Sequence, residues 1–453
     1  MNLYALLQRR LLNDNPIRIG LIGAGKFASM FLAQARRTPG FHILAIADLN
    51  IERAKQSLRR TGWTDEQFAA TNFYDARNRR TTFLTQDSVA LIQESGVEVI
   101  IDATGDPAAG VLHALLCCQH GRHIVMVNVE ADALCGPLLA RKAAQSDIVY
   151  SLAYGDQPAL ICELVDWARG AGFDVVAAGK GTKYLPVYHQ STPETVWGHY
   201  GFSPEQVAQG DFNAQMFNSF LDGTKSGIEM AAVANATGLT PAPEGLVFPP
   251  AGVDELAQVC RPKSAGGTLH HAGQVEVVSS LRRDGAPVER DLRWGVYVTF
   301  EAASDYVARC FKEYGLVTDE SGRYTAMYKP YHLIGLELGI SVLSAVLRRE
   351  PTGAPTDFRG DVVATAKRDL KAGELLDGEG GQTVWGKLLP ARDSLAVGGL
   401  PIGLAHKVKL KHNVAAGQPL KWTDVEIDQQ ALAVKLRREM ESMFRLEQTR
   451  AAE

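Results

Sequence analysis

Residues 17–48, IRIGLIGAGKFASMFLAQARRTPGFHILAIAD, constrain the fold more than any other part of the chain. Ile17 to Ile22 is a short apolar run rich in branched residues, which reads as a strand buried on both faces. Gly23-Ala24-Gly25-Lys26-Phe27-Ala28 follows as a G-x-G-x-x-A turn, and helix formers then run on until Pro39-Gly40 stops them. A second apolar run, Phe41 to Ala47, ends in Asp48.

Each part of this stretch suits a dinucleotide. Gly23 permits a tight strand-to-helix turn, Gly25 lets the backbone approach a pyrophosphate, and Ala28 lets the helix lie close on the sheet. Lys26 and Phe27 open that helix, whose free N–H groups and dipole attract phosphate. Asp48 lies about 20 residues past the glycines, where a carboxylate can take both ribose hydroxyls of NAD. NAD is therefore the expected cofactor, with NADP as the second possibility.

The alternation of strand and helix continues. Val97 to Ala103 is another buried-strand run, and its tip is Thr104-Gly105-Asp106-Pro107. Helix 108–120, strand 123–127, helix 132–145 and strand 148–152 follow, the pattern of a doubly wound parallel sheet. Ligands of such sheets sit beyond the carboxyl ends of the strands. Thr104, Gly105, Asn128 and Glu130 are accordingly cofactor-site candidates. Residues 61–85 are polar and irregular and read as an insertion. The N-terminal MNLYALLQRRLLNDN is amphipathic and reads as an arm packed on the body, not as a signal peptide.

The expected fold class is α/β: a Rossmann sheet over 1–160, an α+β catalytic domain over 161–350, and a small, mostly β domain with a C-terminal helix over 351–453. That last helix, 430–448, is charged and reads as a solvated or subunit-facing tail. A chain of 453 residues with 46% hydrophobic and 22% charged residues fits a globular protein of this size. A net charge of −4 gives no basic field for nucleic acid or an anionic membrane. No apolar run reaches the roughly 18 residues a membrane span needs. Six cysteines without C-x-x-C pairing read as free thiols in a reducing cytoplasm. The expected partners are a small-molecule substrate and copies of the same chain, as a dimer or tetramer.

Four groups stand out for chemistry. Lys180 and Lys183 follow an apparent strand, 173–178, and can hold an anion or oxyanion. Asn218, Asp222, Lys225 and Glu229 fall on one face of an expected helix over 213–235, although Gly223 interrupts it. A lysine between two carboxylates can move a proton or polarise a carbonyl; the same stripe also suits an ion-pair network pinning the helix. Asn128, Glu130 and Asp132 sit at a strand tip, where Asp132 can equally start its helix. Lys329 precedes a Pro-locked turn and is a better ligand candidate than His332. No cluster has metal-ligand spacing.

Six motifs carry a resemblance: GAGKFA (23–28), VIIDATGDP (99–107), VNVEAD (127–132), AGKG (178–181), DGTKSGIEMAAVANATGL (222–239) and KPYHL (329–333). With them the chain, from about residue 15 to 430, resembles the 1-deoxy-D-xylulose 5-phosphate reductoisomerase-like proteins. Its first half resembles the homoserine dehydrogenase type of Rossmann domain. The KAGE-LL and AAGQPL signals of the tail resemble an SAF domain.

This resemblance implies NAD(P)H-dependent reduction coupled to rearrangement of a phosphosugar, with Lys180, Lys183, Lys225 and Glu229 around the substrate. The sequence departs from the pattern in four places. Asp48 stands where those relatives have arginines, which favours NAD. Lys329 stands in place of an Arg, residues 184–211 are extra, and, against the homoserine dehydrogenase pattern, Asn128 is followed by Val129 rather than lysine. The resulting expectation is an NAD(P)-dependent oxidoreductase acting on a small polyhydroxy or phosphorylated substrate. The alternatives are a reductoisomerase of isoprenoid precursor synthesis or a non-catalytic NAD-binding sensor.

Overall fold

The computed structural model describes residues 2–209 and 213–452. The chain forms two compact units, Met1–Leu160 with His332–Thr356, and Ile161–Tyr331 with Asp357–Glu453.

The first unit is built on six strands: β1 (Ile17–Ile22), β2 (Phe41–Ala47), β3 (Phe83–Thr85), β4 (Val99–Asp102), β5 (His123–Met126) and β6 (Tyr150–Leu152). They pair in parallel in the order β3-β2-β1-β4-β5-β6, which is the Rossmann arrangement. Helices separate successive strands. Ile17, Ile19, Leu21, Ile43, Ile46, Val99, Ile101 and Val125 form one buried core, as expected for strands covered on both faces. The N-terminal helix Leu3–Leu11 buries Leu3 and Leu7 and packs on the helix Gly339–Leu347.

The stretch read as an insertion, 61–85, instead ends in the edge strand β3, preceded by the helix Phe73–Arg79. Phe73 packs edge-on against Phe83, and the Thr82 hydroxyl donates to the Ile43 carbonyl at 2.7 Å. Three residues are too few to show a period, so tertiary pairing makes this strand. Residues 332–356, assigned by sequence to the catalytic domain and the next one, belong to this unit. The Leu152 N–H donates to the Gly353 carbonyl at 2.7 Å, and the Tyr154 N–H donates to the Ser341 hydroxyl at 2.8 Å.

Asp132 is fully buried in the helix Val129–Gln145 and accepts from the Tyr150 hydroxyl at 2.9 Å. Its other carboxylate oxygen has no hydrogen-bond partner among the described residues. Burial pushes its pKa up to about 7 against the weaker, opposite pull of Tyr150. A raised acid pKa means the folded chain holds a proton the unfolded chain has released. Stability from this group is therefore full below the unfolded value and falls as pH rises toward 7. Asp132→Asn is expected to be more stable than wild type at pH 8, by roughly 2–4 kcal/mol, and to lose that advantage at pH 4. Urea unfolding at the two pH values checks this.

The second unit contains a four-stranded sheet of β7 (Asp174–Thr182), β8 (Gln274–Ser279), β9 (Val296–Glu301) and β10 (Tyr324–Lys329), in the order β10-β9-β7-β8. β7 pairs in parallel with β8; the other pairs are antiparallel. β7 runs four residues past the expected strand, which places Lys180 inside it. Gly179 and Gly181 permit this, because a Cβ on Gly179 would collide with the Glu276 carbonyl and one on Gly181 with that of Leu292. The expected helix 213–235 is two helices, Ala214–Leu221 and Thr224–Thr237, broken at Gly223, whose φ is +92°. The second of them is buried on nearly every side and packs on β7 and β8.

The remainder of the unit holds β11 (Gly360–Ala366), β12 (Leu375–Asp377), β13 (Val384–Pro390), β14 (His406–Leu410) and β15 (Val425–Glu426). β11 pairs with β13, and β12, β14 and β15 form a second small sheet; all these pairs are antiparallel. β11 and β13 also cover the helix Thr224–Thr237.

The C-terminal helix, Leu432–Ala452, is not a solvated tail. Arg437 is completely buried on it, bonded to Asp361 at 2.6 Å and to Glu441 at 3.0 Å, with Phe358 against its guanidinium. A charged helix with an internal ion-pair partner looks solvated in sequence, because composition does not show where the partner lies. All six cysteines are free. Among the described residues no helix is long and apolar enough to cross a membrane.

Candidate functional site

In the first unit, β1 ends at Ile22, and Gly23 turns the chain with a φ of +91°. A Cβ there would lie 2.7 Å from the Ala103 carbonyl oxygen, so the turn requires glycine. A Cβ on Gly25 or on Gly105 meets nothing within 4 Å, so both backbones are open to a ligand. The helix Lys26–Ala35 has no side-chain cap and no acidic residue in its first turn. Its initial N–H groups and dipole are left for a phosphate. Lys26 is exposed, Phe27 half-buried and Ala28 buried against the sheet. These residues fit a pyrophosphate.

Asp48 is held on the glycine turn itself. One carboxylate oxygen accepts from the Ala24 N–H at 2.7 Å, the other from the Asn50 N–H at 2.8 Å. One amino group of Arg53 bonds both oxygens, at 2.9 and 2.7 Å.

At the neighbouring strand tips, Thr104 is bonded through its N–H and hydroxyl to Asp102, at 3.0 and 2.7 Å. Asn128 is buried; its side-chain amide donates to the Thr104 hydroxyl and the Asp106 carbonyl, and its oxygen caps the helix Val129–Gln145 through the Ala131 N–H. Asn128 thus fixes the shape of these loops. Glu130 is half-buried on the first turn of that helix.

In the second unit, the polar stripe of the sequence does not remain together. With the helix broken at Gly223, its members turn to separate partners. Asn218 accepts from the Ser191 hydroxyl at 2.6 Å and donates to the Gly380 carbonyl at 2.8 Å. Asp222 pairs with Lys367 at 2.7 Å. Glu229 pairs with Lys180 of β7. Lys225 is half-buried on the first turn of its helix. Lys183 is half-buried, donates to the His199 carbonyl at 2.6 Å, and lies over the Tyr200 ring. Burial and then the neighbouring Arg293 hold its pKa below the usual lysine range. Lys329, at the end of β10, pairs with Glu163.

Sequence reasoning missed Lys367 and His189. Lys367 bonds the Ser191 and Gly381 carbonyls at 2.7 and 2.6 Å besides Asp222. Two of its donors sit on backbone carbonyls and its charge lies against Asp222, which marks it as the clamp joining the 184–191 and 377–383 loops to the helix break. Burial pushes the Asp222 carboxyl up, and Lys367 opposes that shift. A lysine just past a buried strand was the only signal. His189 stacks on Trp385 at 3.9 Å, and its two ring nitrogens meet the Tyr184 hydroxyl and the Asp222 carbonyl at 2.9 and 2.7 Å. Burial pushes its pKa down to about 4, so at neutral pH the ring is uncharged. Nothing in an aromatic loop singles out that histidine.

The Lys180–Glu229 pair differs from the Lys367 clamp. It joins the centre of a sheet to a buried helix, and both side chains are less than a tenth exposed. A buried ammonium can hold a developing oxyanion, and the carboxylate beside it can take or return a proton. Among the described residues no three His, Cys, Asp or Glu side chains converge as metal ligands.

Residues 155–338 match the family described as oxidoreductase DRL, catalytic domain. No curated protein matches the chain. Among solved structures it is similar to a protein from Desulfitobacterium hafniense described as an NADPH-dependent oxidoreductase. The identity there is 9% over 73% of this chain and 87% of that one, with a TM-score of 0.38. It is similar to 1-deoxy-D-xylulose 5-phosphate reductoisomerase from Zymomonas mobilis in complex with NADPH, at 14% identity over 49% and 58% of the two chains, with a TM-score of 0.35. An oxidoreductase from Agrobacterium radiobacter in complex with NAD+, L-tartaric acid and magnesium shares 16% identity over 38% of this chain, with a TM-score of 0.28. This chain covers 45% of that protein's length. At such TM-scores these three likenesses say nothing about the chemistry of this chain. The family match covers 184 of the 453 residues and lies in the part that carries Lys180 and Glu229; the residues before it form a Rossmann sheet, an arrangement that suits a dinucleotide.

Proposed function

We propose that the protein moves a hydride between NAD(P) and a small polyhydroxy or phosphorylated substrate, with Lys180 and Glu229 handling the reacting oxygen. The observation that carries this reading is the buried Lys180–Glu229 pair inside the matched oxidoreductase domain. The glycine turn at 23–28 holds the pyrophosphate, Asp48 faces the ribose, and the bound dinucleotide supplies the hydride acceptor or donor. In oxidation, the substrate carbon loses its hydride, the hydroxyl proton passes to Glu229, and the Lys180 ammonium holds the alkoxide as it becomes a carbonyl. Reduction runs the same transfers backwards. Burial matters because an ammonium stabilises an alkoxide far better away from water.

The anionic part of the substrate class is supported by Lys183 and Arg293. These two cations influence each other, and neither forms an ion pair with a described acidic residue. A phosphate or carboxylate between them would relieve their repulsion. The test is a screen of polyols, sugar acids and sugar phosphates with NAD+ and NADP+, read as appearance of reduced nicotinamide, with products analysed for a rearranged carbon chain. Turnover of at least one such compound is expected. Tight dinucleotide binding without turnover across the panel would favour a sensor.

A further inference from the structure

We propose that Arg53 decides how this chain treats the 2′ position of the dinucleotide, and that it lets the site accept a 2′-phosphate in spite of Asp48. The inference rests on the cofactor reading above and goes beyond it.

A free carboxylate at the end of β2 would repel a 2′-phosphate, and the sequence alone therefore favours NAD. The structure shows that Asp48 is not free. Its side chain is 1% exposed, and its four acceptor sites are taken by the Ala24 N–H, the Asn50 N–H and two bonds from one amino group of Arg53. The Arg53 charge cancels that of Asp48 where the ribose diol is expected. Arg53 itself is 55% exposed. Among the described residues nothing accepts from its Nε or its second amino group. Its backbone is fixed, because its N–H donates to Asn50, the cap of the helix Ile51–Arg60. Only the long side chain has to turn.

Two outcomes follow from this geometry. A 2′,3′-diol bonds Asp48 by displacing Arg53 from it, so NAD competes with the ion pair. A 2′-phosphate, carrying nearly two negative charges, instead draws the guanidinium onto itself, where a planar fork of donors matches its oxygens. Asp48 stays satisfied by its two backbone N–H groups in that state, so no buried carboxylate is left bare. Arg53 thereby opposes NAD and supports NADP from one position.

The experiment is calorimetric titration of the full chain with NADH, NADPH, 5′-AMP and adenosine 2′,5′-bisphosphate, using wild type, Arg53→Ala and Arg53→Lys. Wild type is expected to bind both the plain and the 2′-phosphorylated ligand of each pair. Arg53→Ala is expected to weaken the 2′-phosphorylated ligands roughly 10–100-fold relative to the plain ones, the loss typical of a hydrogen bond to a charged group. NADH should bind it equally or more tightly. Arg53→Lys should fall between, and added salt should shrink the gap. Arg53 is on the surface and Asp48 keeps its backbone donors, so these variants fold; a thermal melt verifies it. Parallel losses for all four ligands, no change, or a wild type that binds NADH but rejects both 2′-phosphorylated ligands would overturn the inference while leaving the cofactor reading intact. Failure of every ligand to bind wild type would overturn both.

Discussion

Replacing Lys180 by methionine is expected to lower kcat/KM by roughly 10²–10⁴-fold, the range for removing an oxyanion donor or a general acid–base group. Methionine keeps the length and apolar stem of lysine, so the space in β7 stays filled. The charge is lost, and Glu229 is left as a buried carboxylate without its ammonium partner. The pH–rate profile should change, because the acid–base pair has lost one member, which a merely structural lysine would not cause. Glu229→Gln should depress the rate with Lys180 still present. The double variant should be little worse than either single one, as happens when residues act as a unit. Dinucleotide affinity should be unchanged, since the glycine turn and Asp48 belong to the other unit. Steady-state kinetics together with dinucleotide titration checks all of this. Full activity in Lys180→Met would remove the pair from the mechanism.

The second large effect concerns stability. Arg437→Met is expected to destabilise the fold by about 3–5 kcal/mol, the cost of breaking a buried ion pair from one side. Arg437 is 0% exposed and lies between Asp361 on β11 and Glu441 one turn on. Asp361 also accepts from the Ser394 hydroxyl at 2.5 Å, and Glu441 from the Trp422 indole at 3.2 Å. Removing the guanidinium strands the Asp361 carboxylate in the interior, while Glu441 keeps Arg438 and the Trp422 indole. Asp361→Asn in the same chain should recover part of the loss, because it takes away the stranded charge. Urea denaturation of the two variants measures both steps. Arg438→Met on the same helix should cost far less, although Arg438 also pairs with Glu441 and lies over Trp422, because its side chain is 41% exposed and Glu441 keeps Arg437.

The Rossmann half was legible because its signals are local. A buried strand, a glycine turn and a helix start lie within thirty residues, and each element follows its own apolar period. The acid at 48 was legible for the same reason; its partner was not, since Arg53 reads in sequence as one more basic residue on a solvated helix. β3 escaped notice because three residues cannot show alternation.

In the second unit the sequence shows the residue types and not how they pair. In sequence, Asp222 and Glu229 stand out on the premise of one continuous helix, and Lys180 as a residue just past a strand. A single left-handed glycine at 223 broke that helix and sent each carboxylate to a lysine from another element. Lys367 lies 145 residues beyond Asp222 in the chain, and no periodicity connects positions so far apart. The C-terminal helix failed for the same reason, since the partner that buries Arg437 is 76 residues upstream.

The most direct measurement of the proposed activity follows one hydrogen. Purified protein is mixed with reduced dinucleotide carrying deuterium at the transferable position and with a panel of small polyhydroxy and phosphorylated carbonyl compounds, and the products are read by mass spectrometry. The expected result is deuterium on the former carbonyl carbon of at least one product with wild type, and its loss in Lys180→Met with dinucleotide binding intact. Bound dinucleotide that keeps its deuterium against the whole panel, or equal transfer by wild type and Lys180→Met, would contradict hydride transfer assisted by Lys180.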